Sequence, residues 1–241
     1  MEQRDTSRRN VLRAGAALSS LAAVSGLSGC STLDSLLGGG TGAGQVKKLP
    51  EDTGLAISVD VDTVLEDEGT RQVVDASLQA QAEQAENYYG EYDGPEDFDA
   101  ALSDFEDEYG LDPTKVDIGT MFFEWSSDYM TIDSEYGGVV FKADWSEDDL
   151  IDALEEDGTS FDDDEYNGKT IYESDSDYNP TFVGVLGGNE YVVGSEDGVE
   201  ELIDVRTDGG DKMDKELRSG FNSTRGSAPV RFVSEVPDDN L

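Results

Sequence analysis

One cysteine, Cys30, no histidine and 56 acidic residues set the chemistry open to this 241-residue chain. Without an imidazole there is no Ser-His-Asp or Cys-His nucleophile, no His-ligated zinc and no general base with an ordinary pKa near neutrality. No Ser-x-x-Lys occurs, Val193-Gly194-Ser195-Glu196-Asp197-Gly198 lacks the first glycine of a nucleophile elbow, and no phosphate-cradling glycine loop is present. Carboxylates remain. A pair acting on a glycoside needs roughly 5–10 Å between the two acids and one raised pKa, and nothing in the sequence singles out a pair. Oxygen ligation of Ca²⁺ or Mg²⁺ draws attention to Asp162-Asp163-Asp164-Glu165 and Asp175-Ser176-Asp177-Tyr178-Asn179. The second opens like an Asp-x-Asp-x-Asn loop, but Pro180 replaces the turn glycine and Leu186 stands where the bidentate Glu belongs. It fails as an EF-hand, and both clusters read as solvated loops. The expectation is a chain with no catalytic residue, no cofactor and no metal.

Cys30 offers a different chemistry. It closes Leu27-Ser28-Gly29-Cys30, behind the mild apolar run Ala14 to Leu27, which is too short and too rich in Ala, Ser and Gly to span a bilayer. Ahead of that run stands Ser7-Arg8-Arg9-Asn10-Val11-Leu12. From Ser7 to Cys30 the sequence resembles twin-arginine lipoproteins. Val11 replaces the preferred Phe and Arg13 the preferred Lys, while the lipobox fits at all four positions. The resemblance implies an export signal centred on Arg8 and Arg9, removal of residues 1–29, transport of the already folded domain, and a lipid on Cys30 that holds the protein at the extracytoplasmic face of the cell membrane. With Cys30 modified no thiol is left, so no disulfide framework is expected.

The formal charge is −40. Removing residues 1–29, with four arginines against Glu2 and Asp5, leaves −42 on the mature chain. In dilute salt a charge of that size favours expansion; concentrated salt shortens the Debye length from about 10 Å at 0.1 M to about 3 Å at 1 M. Seven lysines, with acids spread along the chain, read as adaptation to high salt, and the periodically placed Tyr, Phe and Trp argue for a folded body over an acidic disordered one. No basic stripe is present, so no nucleic-acid partner is expected. An anionic membrane repels such a body, leaving the lipid as the attachment.

Three regions follow: the signal peptide, 1–29; the lipidated cysteine and a Gly/Ser/Thr-rich tether, 30–48, reaching roughly 25 Å r.m.s.; and an acidic domain, 49–241. A strand is expected over Leu55 to Val61, then helices over Arg71 to Tyr89 and Pro95 to Tyr109, the latter ended by Gly110 and Asp112-Pro113. Strand signals cover Ile118 to Trp125, Tyr129 to Asp133 and Gly138 to Trp145. Ser146 and Asp149 form a capping box for the next helix. Asn167-Gly168 calls for a type I′ hairpin, and Thr181 to Leu186 pairs with Glu190 to Gly194. The step at Trp145-Ser146-Glu147 is echoed at Gly194-Ser195-Glu196, with shared capping chemistry as the reason. A helix near Asp211 to Phe221 and a strand over Val230 to Val236 close the pattern. The fold class is α+β, a mostly antiparallel sheet with helices packed on one face. Ending soon after a strand with no covering element, the chain reads as a shortened version of a longer protein.

From Leu49 on, the chain resembles uncharacterised lipoproteins of halophilic archaea. The likeness rests on Leu49-Pro50, on Tyr166-Asn167-Gly168-Lys169-Thr170-Ile171-Tyr172 and on Val192-Val193-Gly194-Ser195. It implies no activity. Asn222-Ser223-Thr224 is a glycosylation sequon in a segment of loop character. Trp125 and Trp145, at strand ends, read as partly buried core and not as the walls of a groove. Together these features point to a lipid-anchored surface protein with a non-catalytic binding or structural role and an unknown protein or small-molecule partner. Two other readings stay open. One is the substrate-binding lipoprotein of an importer, for which two lobes and a cleft would be needed. The other is a carboxylate-dependent hydrolase, for which a deep pocket with two facing acids would be needed.

Overall fold

Eight strands form one antiparallel sheet in the computed structural model, which describes residues 43–89, 94–126, 131–155, 158–176, 180–207 and 209–235. In chain order the elements are α1 (Ala43–Val46), β1 (Leu55–Asp60), α2 (Val61–Glu66), α3 (Glu68–Tyr89), α4 (Phe98–Tyr109), a 3₁₀ turn (Pro113–Lys115), β2 (Val116–Ser126) and β3 (Thr131–Ala143). There follow α5 (Glu147–Glu155), β4 (Phe161–Tyr166), β5 (Lys169–Ser174), β6 (Phe182–Val185), β7 (Glu190–Gly194), α6 (Glu196–Arg206), α7 (Lys215–Ser223) and β8 (Val230–Ser234). The spatial order is β4-β5-β6-β7-β3-β2-β1-β8. A four-strand meander thus joins a second group of four along the β3–β7 seam.

Local chemistry explains most boundaries. Asp60, Asp97, Asp214 and Ser195 cap α2, α4, α7 and α6 by accepting backbone N–H bonds. Gly110 ends α4 in the left-handed conformation at φ 66°. Ser146 Oγ accepts from Asp149 N at 3.1 Å while Asp149 Oδ2 accepts from Ser146 N at 3.3 Å, the reciprocal box expected. Asn167 (φ 49°) and Gly168 (φ 74°) make the tight turn between β4 and β5.

The α+β class and the antiparallel sheet are as expected, but the helices occupy both faces. Neighbouring strand residues point to opposite sides. Val140 and Val192 join Val199, Leu202 and Ile203 of α6 and Phe221 of α7 in one core. Tyr191, Val183 and Ala143 join Leu150 and Ala153 of α5 in another. A third groups Val59 of β1 with Val64 of α2, Val74 and Leu78 of α3, and Phe98 of α4. Strands β3, β6 and β7 are apolar on both sides, so one layer of helices would leave half of that surface wet.

Several expected boundaries move: β1 ends at Asp60 with Val61 already in α2, a helix not expected, α3 starts at Glu68, α4 at Phe98 and α7 at Lys215. Of the two segments Tyr129 to Asp133 and Gly138 to Trp145, Thr131 to Asp133 and Gly138 to Ala143 belong to a single strand, β3, which pairs with β2 from Ala143 to Thr131 through two register shifts, while Tyr129 and Met130 lie outside the described residues. Gly137 carries the chain through at φ 135°, where a Cβ would lie 2.4 Å from Phe122 O, so the glycine pair marks a close crossing and not a break. The body also begins before Leu49. Val46 and Leu49 are 2% and 0% exposed and lie in the first core, so residues 43–48 belong to the domain and not to the tether.

Candidate functional site

The densest buried polar arrangement fastens α1 to the middle of the sheet. Apolar spacing puts Val46 and Leu49 inward, and Gln45 follows them to 5% exposure. A buried amide needs partners. Gln45 Oε1 accepts from Thr120 Oγ1 of β2 at 2.7 Å, and Thr120 Oγ1 also lies 3.1 Å from Ser58 Oγ of β1. Gln45 Nε2 donates to Glu190 Oε1 of β7 at 3.4 Å. Glu190 faces Arg206 of α6, with Nη2 3.0 Å from Oε1 and Nη1 3.3 Å from Oε2. Burial holds the Arg206 guanidinium below its ordinary pKa, and Glu190 opposes that shift. The network runs through β1, β2, β7 and α6, with Gln45 as the link.

A second arrangement surrounds the entry to α6. Ser195 Oγ accepts from Gly198 N at 3.2 Å and from Gly137 N at 3.1 Å, and Ser195 N donates to Gly137 O at 3.0 Å. The serine of the elbow-like segment is therefore engaged in capping and in docking α6 on β3. Beside it Tyr136 Oη donates to Glu201 Oε2 at 2.5 Å. Burial first, then the bond to Glu201 and the charges of Glu201, Asp52 and Glu124, drive the Tyr136 hydroxyl far above its usual range. The Glu201 carboxyl is raised too, by burial foremost; Asp52, Asp197 and Asp204 add to this while the Tyr136 bond opposes it. The pair is a proton-holding contact in an acidic setting.

Two open depressions mark the surface. One, about 360 Å³, is lined by Asp60, Asp62, Asp117, Ile118 and Lys142; the other, about 310 Å³, by Leu65, Glu66, Glu68, Arg71, Gln72 and Asp75. In the first, Asp60 caps α2 through Thr63 N and Asp117 pairs with Lys142. In the second, Asp75 accepts from Phe98 N at 2.8 Å. Those three acids have structural partners.

No protein-family model matches the chain, and no curated protein does. Among solved structures it is similar to TP0453 in its crystal form I, with a TM-score of 0.40 and 10% identity over 78% of this chain. The chain spans 61% of the length of that protein.

The residues singled out by the sequence fall in scattered places. Arg8, Arg9 and Cys30 lie outside the described residues, as do Asp177, Tyr178 and Asn179. Asp162, Asp163, Asp164 and Glu165 alternate along β4 and so point to opposite faces. They form a strand and not the loop expected. Asp175 is taken up by Ser160, accepting from its N and Oγ at 3.3 and 3.2 Å. Among the described residues no group of three or more acidic, His or Cys side chains is placed to hold a metal ion. Trp145 is 8% exposed and donates to Asp112 O at 3.0 Å, a core position as expected; the side chain of Trp125 lies outside the described set.

Asn222 is exposed, as a sequon must be, but it sits in the last turn of α7 and not in a loop. Leu217 and Phe221, four apart, carry the helix past the expected end. Thr224 Oγ1 donates to Phe221 O at 2.7 Å and accepts from Arg231 Nε at 2.9 Å. Sequence reasoning missed Gln45, Thr120, Glu190, Arg206, Tyr136 and Glu201. The alternation of the first strand pointed the other way, setting Ser58 with Ala56 and Asp60 on the small or polar side, whereas Ser58 is 3% exposed.

Proposed function

We propose that the protein is a lipid-anchored extracytoplasmic surface protein, exported by its Arg8-Arg9 signal and held by a lipid on Cys30, whose body binds or scaffolds and performs no catalysis. The observation that carries this reading is how little chain separates the lipobox cysteine from a locked body. Residues 31–42 intervene, a contour of at most about 43 Å, and at Ala43 the chain enters a helix whose next residues are buried. A chain built so keeps its domain within that reach of the anchor. Among the described residues no helix is long and apolar enough to cross a membrane, so in this reading attachment falls to the lipid. The excess of acid over base supports a body that stands off an anionic surface.

Fractionation of cells expressing the full chain tests it. The wild type is expected in membranes, released by detergent and not by molar salt, with an intact mass that begins at lipidated Cys30. Cys30→Ser is expected to leave the membrane fraction, and Arg8→Lys with Arg9→Lys to leave unprocessed precursor. Recovery of wild-type protein from the soluble cytosol with residues 1–29 still attached would overturn it.

A further inference from the structure

The sheet has two outer strands, and they are finished in opposite ways. At the β4 end the tight turn pairs Tyr166 with Lys169, so Phe161, Asp163 and Glu165 turn their backbone groups outward. Phe161 N donates to Glu155 Oε1 at 3.1 Å and Glu165 N to Asp164 Oδ1 at 2.7 Å. Acids run from Asp162 to Glu165 along the same strand. Carboxylates thus cap two of its three outward donors, a guarded edge.

The β8 end has no such guard. Asp60 N donates to Pro229 O at 2.8 Å and Glu235 N to Gly54 O at 2.7 Å. With the register Ile57↔Phe232, residues 229, 231, 233 and 235 face β1, and Val230, Phe232 and Ser234 face away. Among the described residues, nothing bonds the backbone N–H or C=O of those three. Phe232 is 48% exposed, the one large apolar side chain left so open among the described residues. It continues a row of half-buried apolar neighbours, Ile57, Met121 and Val139, in register across β1, β2 and β3.

Charge says what kind of strand would fit. From Leu217 to Ser234 there is no carboxylate, while Arg218, Arg225 and Arg231 fall in that stretch. Before it, exposed Lys212 and Lys215 alternate with exposed Asp211, Asp214 and Glu216; within it Arg225 is exposed, Arg218 half-buried, and buried Arg231 stacks its guanidinium on Phe221 of α7 at 4.0 Å. The stretch is thus a local excess of positive charge, three arginines and no acid, on a molecule of charge −40. A second copy of β8 would bring like charge to it, and a lipid surface cannot satisfy a row of backbone donors and acceptors. An acidic polypeptide in extended form does both.

We propose that β8 is a docking edge that takes an extended acidic segment of another protein as a ninth strand, with Phe232 contacting an apolar side chain of that segment. This names the binding surface of the reading above and rests on its binding part. Anchorage is tested by fractionation and this edge by peptide binding, so each can fail alone.

The experiment uses the mature lipoprotein in detergent and molar KCl with short fluorescent peptides of alternating Glu and Val. One control has Lys in place of Glu; another is the acidic peptide N-methylated at every second residue. Expected are saturable binding of the acidic peptide and about tenfold or more weaker binding of both controls. Phe232→Glu and Arg225→Glu are each expected to weaken binding about tenfold with thermal unfolding unchanged. Hydrogen exchange adds a site-level readout: the Val230, Phe232 and Ser234 amides exchange fast in the free chain and slow with peptide, while Arg231 and Val233 stay slow in both. The proposal is overturned by no saturation up to about 1 mM, by equal binding of the N-methylated peptide, by outward amides already protected in the free chain, or by a dimer that Phe232→Glu dissociates.

Discussion

Replacing Gln45 with leucine, similar in size, removes the amide that links α1 to the sheet. Thr120 Oγ1, with Thr120 0% exposed, loses its acceptor at 2.7 Å but keeps Ser58 Oγ at 3.1 Å. Glu190 loses one donor at 3.4 Å and keeps Arg206. Each orphaned group has a fallback, so the cost stays short of the top of the range of about 1–3 kcal/mol for an unsatisfied buried partner, about 2. For a chain of this size that lowers Tm by about 4–8 °C. Adding Thr120→Val removes the stranded hydroxyl and is expected to recover part of the loss, a coupling of about 1 kcal/mol. The assay is urea unfolding in molar KCl of the wild type, Gln45→Leu, Thr120→Val and the double variant. Amide exchange at Val46 to Leu49 reports whether α1 alone has loosened. An unchanged midpoint in Gln45→Leu, or strict additivity of the two substitutions, would refute the account of α1 as a hydrogen-bonded lock.

Glu201→Gln tests the acidic setting of Tyr136. The raised Glu201 pKa makes the protonated form favour the fold; that contribution is present below the ordinary glutamate value and is lost as pH rises through the folded value. The variant should therefore gain stability at pH about 7 and show a flatter pH dependence of urea unfolding above pH about 4.5 than the wild type. Arg206→Ala leaves Glu190, 21% exposed, with Gln45 as its remaining partner, and the expected cost by the same unfolding measurement is about 3 kcal/mol, the low end for a broken buried pair. Raising KCl from about 0.1 M to about 1 M contracts the Debye length roughly threefold and should raise Tm; a Tm insensitive to salt would contradict the repulsion inferred from a charge of −40.

Sequence carried the local features well because each is decided within a few residues. Ser146 with Asp149 and Asn167 with Gly168 name their own geometry, and Gly110 its own helix end. The misreadings share a cause, which is that the deciding partner is distant. The strand signals before Asp133 and from Gly138 read as separate, while the reason for Gly137-Gly138, the chain Gly194 to Gly198 that approaches it, comes more than fifty residues later; a Cβ on Gly194 would meet Gly137 O at 2.3 Å. The segment at Ala43 looked like linker because Gln45 meets Glu190 across 145 positions. Helices on both faces follow from strands apolar on both sides, a pattern present in Val139-Val140-Phe141 and Tyr191-Val192-Val193 and passed over. The polar lock itself was not readable, since Gln, Thr and Glu carry no periodic signature that distinguishes a buried partner from a solvated one.

The place where α1 meets the sheet has a mechanical consequence. Gln45 touches β2 and β7, which flank β3 at the centre, and leaves both outer strands alone. A tug arriving through residue 43 is therefore shared at once between the two four-strand groups on either side of the β3–β7 seam. The load falls on interior ladders that must slip together, instead of peeling one strand from the rim. If the chain is anchored as proposed above, a pull from that side would reach the sheet at its middle and not at its rim.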